Sequence, residues 1–395
     1  MSHLVEPKDT ADFYLLADDL PEQDRQLLAR LRAFLDAELA PVANWHWARE
    51  KFPHHLIEPL GKLGVGGLSY SGYGLPGRTS LLDGFVTLEL ARTDPSFATF
   101  FGVHTGLAMG SIHRCGSAEQ KQRWLPAMHR FELIGAFGLT EPEVGSAAAR
   151  GLGTTARREG EEWVLDGEKK WIGNATFADV TVIWARDVAD GQVKGFLVER
   201  DTPGFTPTKI ENKIALRTVQ NAHIQLRDCR VGEANRLQHA NSFADTAGVL
   251  RMTRTSVAWQ AVGCSIGAYE RALAYARLRE QFGRPIGGFQ LVQDLLVRML
   301  GNITASLCLV AQLSRLQDAG KMTDEQASLA KAFCTTKMRE TVGMARELMG
   351  GNGILLDYEV GRFVADAEAI HSYEGTREMN NLIVGRAITG LSAFV

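Results

Sequence analysis

The chain has 395 residues, of which 45% are hydrophobic, 23% charged and 8% aromatic; this is an ordinary globular composition, long enough for two to three domains and too long for a small disulfide-stapled module. Forty-three basic against 46 acidic residues leave a formal charge of -3, which speaks against a general nucleic-acid binder. The five cysteines (Cys115, Cys229, Cys264, Cys308 and Cys334) are scattered without CxxC spacing, which excludes a zinc ribbon or thioredoxin motif and predicts buried thiols in a reducing compartment.

The N-terminal string MSHLVEPKDTADFY has neither the basic-then-apolar order of a secretory leader nor the arginines of a transit peptide. The C-terminal LSAFV is not a peroxisomal address. No run of about eighteen apolar residues is uninterrupted, so no membrane span is expected and the expected location is the cytoplasm.

Three regions then follow by period. Over 1–133 the pattern is helical: Leu27, Leu28, Leu31, Phe34, Leu35 and Leu39 form an apolar stripe, with Pro21 suited to the first turn and Pro41 expected to end the helix. A glycine-rich stretch over 64–77 reads either as a turn-rich connection or as backbone near a ligand. Over 134–240, short β-prone runs alternate with turn residues, which predicts a small antiparallel sandwich or barrel. Trp163-Val164-Leu165 and Lys170-Trp171-Ile172 flank Asp166-Gly167, a hairpin signal, and 180–184, 195–198 and 223–226 read as further strands. Over 241–395 long helical segments return. Thr323 with Gln326 forms a capping box, Gly350-Gly351 supplies a stop, and Gly283-Arg284-Pro285 interrupts an earlier helix, so a helical bundle is expected. The fold class is α+β.

The sequence contains no HExxH, no P-loop and no GxSxG elbow. His54 and His55 are adjacent and cannot share a helical face, so no metal site is expected there. The residues alone predict a ligand at a domain junction.

Specific strings say more. Phe137-Gly138-Leu139-Thr140-Glu141-Pro142-Glu143-Val144-Gly145-Ser146 resembles the flavin-binding signature of the acyl-CoA dehydrogenase/oxidase family. Lys170-Trp171-Ile172-Gly173-Asn174 resembles its second flavin strand, and Arg279-Glu280-Gln281-Phe282-Gly283, Gly350-Gly351-Asn352-Gly353 and Tyr373-Glu374-Gly375-Thr376 follow in the family's order. Within the family the likeness is greatest to the glutaryl-CoA dehydrogenase branch, and in it to the plant short-chain acyl-CoA oxidases. The resemblance implies an N-terminal helical domain, a middle β-domain and a C-terminal four-helix bundle, in a homotetramer. It also implies FAD as cofactor and oxidation of an acyl-CoA thioester to trans-2-enoyl-CoA in fatty-acid β-oxidation.

That reaction needs a base for a weakly acidic α-proton, an acceptor for the β-hydrogen and polarisation of the thioester carbonyl. By resemblance Glu374 is the base; alone it would read as a surface carboxylate. Phe137, Leu139, Thr140, Trp171, Ile172 and Gly173 match flavin-contacting positions, although a lone tryptophan would read as core. Arg279 and Gln290 match residues that reach FAD phosphates across a subunit interface, and Phe282 matches a cofactor position. Glu347, Gly350, Gly351, Thr376, Glu378 and Phe394 match further cofactor positions. Ser146, also a cofactor position, and Arg254 match residues near CoA, and Gly375, Thr99 and Phe100 are the remaining substrate positions. Phe97, Phe100 and Phe101 either floor a short acyl pocket or simply fill core.

Two positions depart from the family pattern. Gly173 stands where the family usually has a threonine whose hydroxyl faces flavin N5, which bears on reactivity with oxygen and predicts open space there. Ala98 stands where glutaryl-CoA dehydrogenases place the arginine that pairs the distal carboxylate, which disfavours a glutaryl substrate. The expected electron acceptor is an electron-transferring flavoprotein, with oxygen as the alternative. A DNA-binding flavoprotein of this fold would need a basic C-terminal surface, but 241–395 holds sixteen Lys/Arg against fifteen Asp/Glu, a net of +1.

Overall fold

The computed structural model describes residues 11–394. Most of the string read for an N-terminal leader, residues 1–10, lies outside the described residues, as does Val395.

Helix α1 (Glu22–Phe34) carries the apolar stripe and begins after Pro21 at its N-cap. Leu31 and Leu35 are fully buried. The expected stop at Pro41 does not occur. Leu35–Leu39 forms a π-helical turn, and α2 (Ala40–Ala48) runs on with Pro41 in its first turn. The wider turn resets the hydrogen-bond ladder, so the missing proline N–H falls where a helix start needs none. After α3 (Ile57–Lys62), residues 64–77 form a turn-rich connection with one two-residue pairing, Ser71–Gly72 with Leu75–Pro76. Gly67 is required there: its φ is +59°, and a Cβ would lie 2.6 Å from Met109 Cε.

Helix α4 (Ser80–Thr93) is buried along nearly its whole length and is capped by Thr79. Asp94 caps α5 (Pro95–Gly102) by accepting from Phe97 N at 2.7 Å. A π-helical segment, Val103–Met109, joins α5 to α6 (Gly110–Cys115), and α7 (Ala118–His129) follows behind a Ser117/Gln120 capping box.

The middle sheet comprises β1 (Gly135–Gly138), β2 (Thr155–Glu159), β3 (Glu162–Ile172), β4 (Val180–Asp187), β5 (Val193–Glu199), β6 (Phe205–Lys209) and β7 (Ala222–Gly232). Its order is β1-β4-β2-β3-β7-β6, with β5 also on β4. It is mixed rather than purely antiparallel. β1 and β2 lie end to end along β4 and are both parallel to it, at Val180–Ile183 and at Arg186–Asp187. Long connections permit this: over forty residues separate β1 from β4 in sequence. The expected hairpin at Asp166-Gly167 is instead the middle of one strand, β3, with a bulge there in its pairing to β7. Gly167 has φ +144°, and its missing Cβ would lie 2.7 Å from Thr154 Cα; the glycine serves close approach, not a turn. The turn that closes β2 onto β3 is at Gly160, φ +63°.

The C-terminal region contains α8 (Phe243–Leu278), α9 (Gln290–Asp318), α10 (Asp324–Leu348), α11 (Val360–Ser372) and α12 (Arg377–Thr389). The Thr323/Gln326 capping box opens α10, and Gly350 follows it in a left-handed conformation. The small pairing Glu280–Gln281 with Arg284–Pro285 separates α8 from α9. By length and mean hydropathy α9 alone among the described residues could cross a membrane; here it packs on α4, α8 and α10. Four cysteines are buried as expected, but Cys308, on α9, is exposed.

One buried carboxylate joins all three regions. Asp366 on α11 accepts from Trp47 Nε1 of α2 at 2.8 Å, Ser96 Oγ of α5 at 3.2 Å and Leu216 N of the β6–β7 loop at 2.6 Å. Beside it Arg362 pairs with Asp94 at 2.6 Å. Burial and the Asp94 charge push the Asp366 carboxyl up to about 7.

Candidate functional site

Glu374 lies in the short connection between α11 and α12. Thr376 caps α12 by accepting from Met379 N at 3.3 Å. The chain enters that cap through two left-handed residues, Glu374 at φ +54° and Gly375 at φ +85°. A left-handed non-glycine residue costs on the order of 1–2 kcal/mol, and such strain concentrates at functional positions. Within the described residues the Glu374 N–H has no acceptor. Its half-buried side chain accepts from Thr253 Oγ1 of α8 at 2.8 Å. Burial raises the carboxyl above its usual range, against the Thr253 hydrogen bond and the nearby Arg254 and Lys331 cations. Arg254 itself has a buried Nε with no hydrogen-bond partner.

A polar layer backs this turn. Tyr373 donates to Gln260 Oε1, Gln260 Nε2 donates to Thr99 Oγ1 at 2.7 Å, and Thr99 Oγ1 lies 3.5 Å from the Tyr373 hydroxyl. Thr99 is half-buried and belongs to the site by this chain of contacts. Phe100 does not share its position. Its ring is fully buried among Phe52, Phe97, Phe131 and Phe177, with centroids 4.7–6.2 Å away. Phe97 and Phe101 are equally buried.

The π-helical segment forms the next wall. Val103, Gly106 and Leu107 are its half-buried face. At Gly106 a Cβ would lie 3.3 Å from Thr253 Cγ2, and at Gly173 a Cβ would lie 3.1 Å from Val103 Cγ2. The segment therefore bridges the Glu374 turn to the end of β3. The space expected at Gly173 is not open: Val103 and Val219 fill it.

On the sheet side, Phe137 and Leu139 are buried and Thr140 is half-buried, while Ile172 is buried. Lys169 is fully buried; its Nζ donates to Leu139 O at 3.1 Å and to Glu141 Oε1 at 2.8 Å. Burial pulls this ammonium down to about 8 against the Glu141 charge. Glu141 in turn accepts from Gly153 N and Thr154 N at 2.6 and 2.9 Å. Trp171 is left-handed, φ +67°, and 54% exposed, so it is no core residue. Ser146 is exposed on the loop after β1.

The remaining predicted residues gather elsewhere. Arg279, Phe282, Gly350 and Gly351 line a cavity of about 540 Å³ with Tyr275, Phe289 and Met349. Gln290 and Glu347 are exposed beside it in sequence. Phe282 is 92% exposed at φ +54°. Glu378 is exposed and pairs with Arg377 at 2.7 Å, and Phe394 lies under Arg386, 5.6 Å from centroid to guanidinium. This cavity shares no lining residue with the Glu374 cluster.

Two features suit a planar, phosphate-bearing cofactor. An indole is presented to solvent from a strained strand end, and a cationic cavity is floored by glycines at which a Cβ would meet nothing within 4 Å. Four residues of the site carried no motif: Val103, Thr253, Gln260 and Lys331. Only Lys331 left a trace, a cation on the buried stripe of α10 with Ala327, Ala330, Cys334 and Met338.

Family models for the acyl-CoA dehydrogenase N-terminal, middle and C-terminal domains match residues 21–132, 136–229 and 243–389. The mitochondrial short-chain specific acyl-CoA dehydrogenase of Mus musculus is 32% identical over 374 residues, 93% of this chain and 90% of that protein. A glutaryl-CoA dehydrogenase from Mycobacterium smegmatis, solved in complex with FADH2, superposes with a TM-score of 0.93 at 36% identity, covering 98% of this chain and all of that one. Butyryl-CoA dehydrogenase from Megasphaera elsdenii gives a TM-score of 0.90 at 29% identity over 93% of this chain and 98% of that one. With the three domain models matched in order and nearly the full length shared with these relatives, the chain belongs to the acyl-CoA dehydrogenase family.

Proposed function

We propose that this chain is an FAD-dependent acyl-CoA dehydrogenase that converts a short, uncharged acyl-CoA to the trans-2-enoyl-CoA, with Glu374 as the α-proton base. The observation that carries the reading is the Glu374 turn itself: a desolvated carboxylate in a strained conformation, held by Thr253 and acted on by two nearby cations, Arg254 and Lys331. A carboxylate of ordinary basicity is too weak for a thioester α-proton, and desolvation strengthens it. The FADH2-bearing relative supports FAD as the cofactor. Bound FAD supplies the two-electron acceptor for the β-hydrogen.

The chain's own groups do the rest. Thr253 aims the carboxylate, and the free Glu374 N–H is available to a thioester carbonyl. Tyr373, Gln260 and Thr99 hold the turn from behind. Arg254 offers an unpaired donor to the CoA portion. Phe137, Leu139, Thr140 and the Trp171–Gly173 strand end are assigned to the isoalloxazine. The 279–290 and 347–351 segments are assigned to the rest of FAD across the interface of a homotetramer, where exposed Leu278, Phe282 and Leu291 would be covered.

An electron-transferring flavoprotein is the proposed acceptor. An oxidase using oxygen is the second reading; Gly173 favours it, and Val103, which takes up the space beside Gly173, weighs against it. Glutaryl-CoA is disfavoured because Ala98 is buried and brings no cation. Anaerobic mixing with an acyl-CoA panel, followed by air or by an electron-transferring flavoprotein, tests the reading. Wild type should bleach with butyryl-CoA. Glu374→Gln should stay yellow and lose orders of magnitude in rate, because an amide accepts no proton. Bleaching of the variant at wild-type rate would remove Glu374 from the mechanism.

A further inference from the structure

Lys331 has no exposed surface, yet it is an ammonium in the middle of α10. Burying such a group without compensation costs several kcal/mol, so its contacts indicate what it is for. Nζ donates to His371 O at 2.7 Å and to Gly375 O at 2.8 Å, the two ends of the turn that carries Glu374. Gly375 O also accepts from Asn380 Nδ2 at 2.9 Å. The turn between α11 and α12 is therefore pinned from α10 and from α12 at once. The His371 contact alone would be a C-terminal helix cap, since it satisfies a last-turn carbonyl of α11 with a cation. The Gly375 contact has no such function, because that carbonyl lies beyond the helix and directly after Glu374.

We propose that Lys331 is a positioning residue for Glu374, fixing the turn through its two carbonyls and holding the carboxylate charged with its ammonium. The proposal rests on the reading of Glu374 as the base for its catalytic consequence, though not for its electrostatic one. The groups that face Glu374 are Thr253 and Arg254 from α8 and Lys331 from α10; those that face Lys331 are Glu374, Arg254 and Glu378, with His371 bound to it through its carbonyl. Removing one of two flanking cations from a desolvated carboxylate shifts its titration upward. A purely structural lysine would leave that titration where it is.

Lys331→Gln keeps a hydrogen-bond donor and removes the charge; Lys331→Met removes both. Two quantities are read on flavin-loaded protein: the titration of the Glu374 carboxyl band by infrared difference against Glu374→Gln, and the acid limb of kcat/KM with butyryl-CoA. The infrared midpoint and the acid limb should both rise by about one unit in Lys331→Gln. In Lys331→Met kcat should fall further than in Lys331→Gln at every pH, because the turn is also released. A wild-type infrared midpoint in flavinated Lys331→Gln overturns the proposal. A shifted midpoint with an unshifted rate profile would instead overturn Glu374 as the base and leave the Lys331 contact standing. Loss of flavin and of the native oligomer from both variants, with Glu374→Gln intact, would assign Lys331 to folding alone and also overturn the proposal.

Discussion

Thr253 Oγ1 donates to Glu374 Oε2 at 2.8 Å across 121 residues of sequence, so helix α8 reaches the carboxylate proposed as the base. A hydrogen bond to a charged group is worth about 1.5–3 kcal/mol, and this one favours the carboxylate form. Thr253→Val keeps the shape and removes the donor. The apparent pKa of Glu374 should rise by about 1–2 units, since each unit corresponds to about 1.4 kcal/mol. The acid limb of kcat/KM should move to higher pH by that amount, with kcat on the alkaline plateau little changed. An unmoved limb would show that Thr253 contributes packing only.

Arg279 lines the 540 Å³ cavity together with Gly350 and Gly351, next to the exposed Phe282 ring. If the arginine reaches FAD across a subunit boundary, Arg279→Ala should lose cofactor and assembly together. Flavin absorbance per chain should fall below one equivalent, and light scattering should report a smaller particle on dilution. Arg279→Lys should recover only part of both, because an ammonium cannot supply the planar fork. A fully flavinated oligomer of unchanged mass in Arg279→Ala would contradict the assignment.

Among butyryl-, glutaryl-, octanoyl- and palmitoyl-CoA, kcat/KM should be highest for butyryl-CoA with a single artificial acceptor. A glutaryl chain brings a carboxylate toward buried Ala98, and several kcal/mol of unpaired charge correspond to a loss of at least about a hundredfold. Phe100→Ala should shift the optimum toward longer chains if the acyl end abuts the ring cluster. It should also lower stability by about 3–5 kcal/mol, since the ring packs on Phe52 and Phe97. Glutaryl- or palmitoyl-CoA as the best substrate would refute the preference.

Asp366 gives a pH prediction of defined sign. Its carboxyl titrates near 7 when folded, raised mainly by burial, and near 3.8 when unfolded. Between those values the folded chain holds the extra proton, so stability from this group falls as pH rises, by up to about 1.4 kcal/mol per unit. Asp366→Asn should flatten the dependence of Tm on pH between about 4 and 7 relative to wild type. Parallel wild-type and variant curves would show that Asp366 is ionised throughout.

What could be read in the sequence was local. The Thr323/Gln326 capping box, the glycine stop after α10 and the β-prone runs each depend on residues a few positions apart, and each appears in the structure. Asp166-Gly167 misled because a glycine that admits Thr154 looks, in one dimension, like a glycine that turns the chain. Pro41 misled because the five-residue π-turn that ends just before it, at Leu39, has no simple signature. In the candidate site, Glu374 stood out only through its motif. Thr253, Gln260 and Val103 are ordinary helix residues until α5, α8 and the 373–376 turn meet, and Phe100 was separated from its neighbour Thr99 only by the direction each side chain takes.

The closeness of Val103 to Gly173 means that a residue of the helix limits what position 173 can carry. The side-chain volume beside residue 173 is supplied from the helix, by Val103, and from the 216–221 loop, by Val219. A threonine placed at 173 would meet Val103 Cγ2 at 3.1 Å with its first carbon, before its hydroxyl is considered. The two positions therefore behave as one steric unit. Gly173→Thr requires Val103 to retreat by a few tenths of an ångström, whereas the paired change Gly173→Thr with Val103→Ala does not. A hydroxyl at 173 therefore comes with a displacement of Val103 unless both positions change, and single-site comparisons at 173 would measure crowding against Val103 together with the chemistry of the hydroxyl.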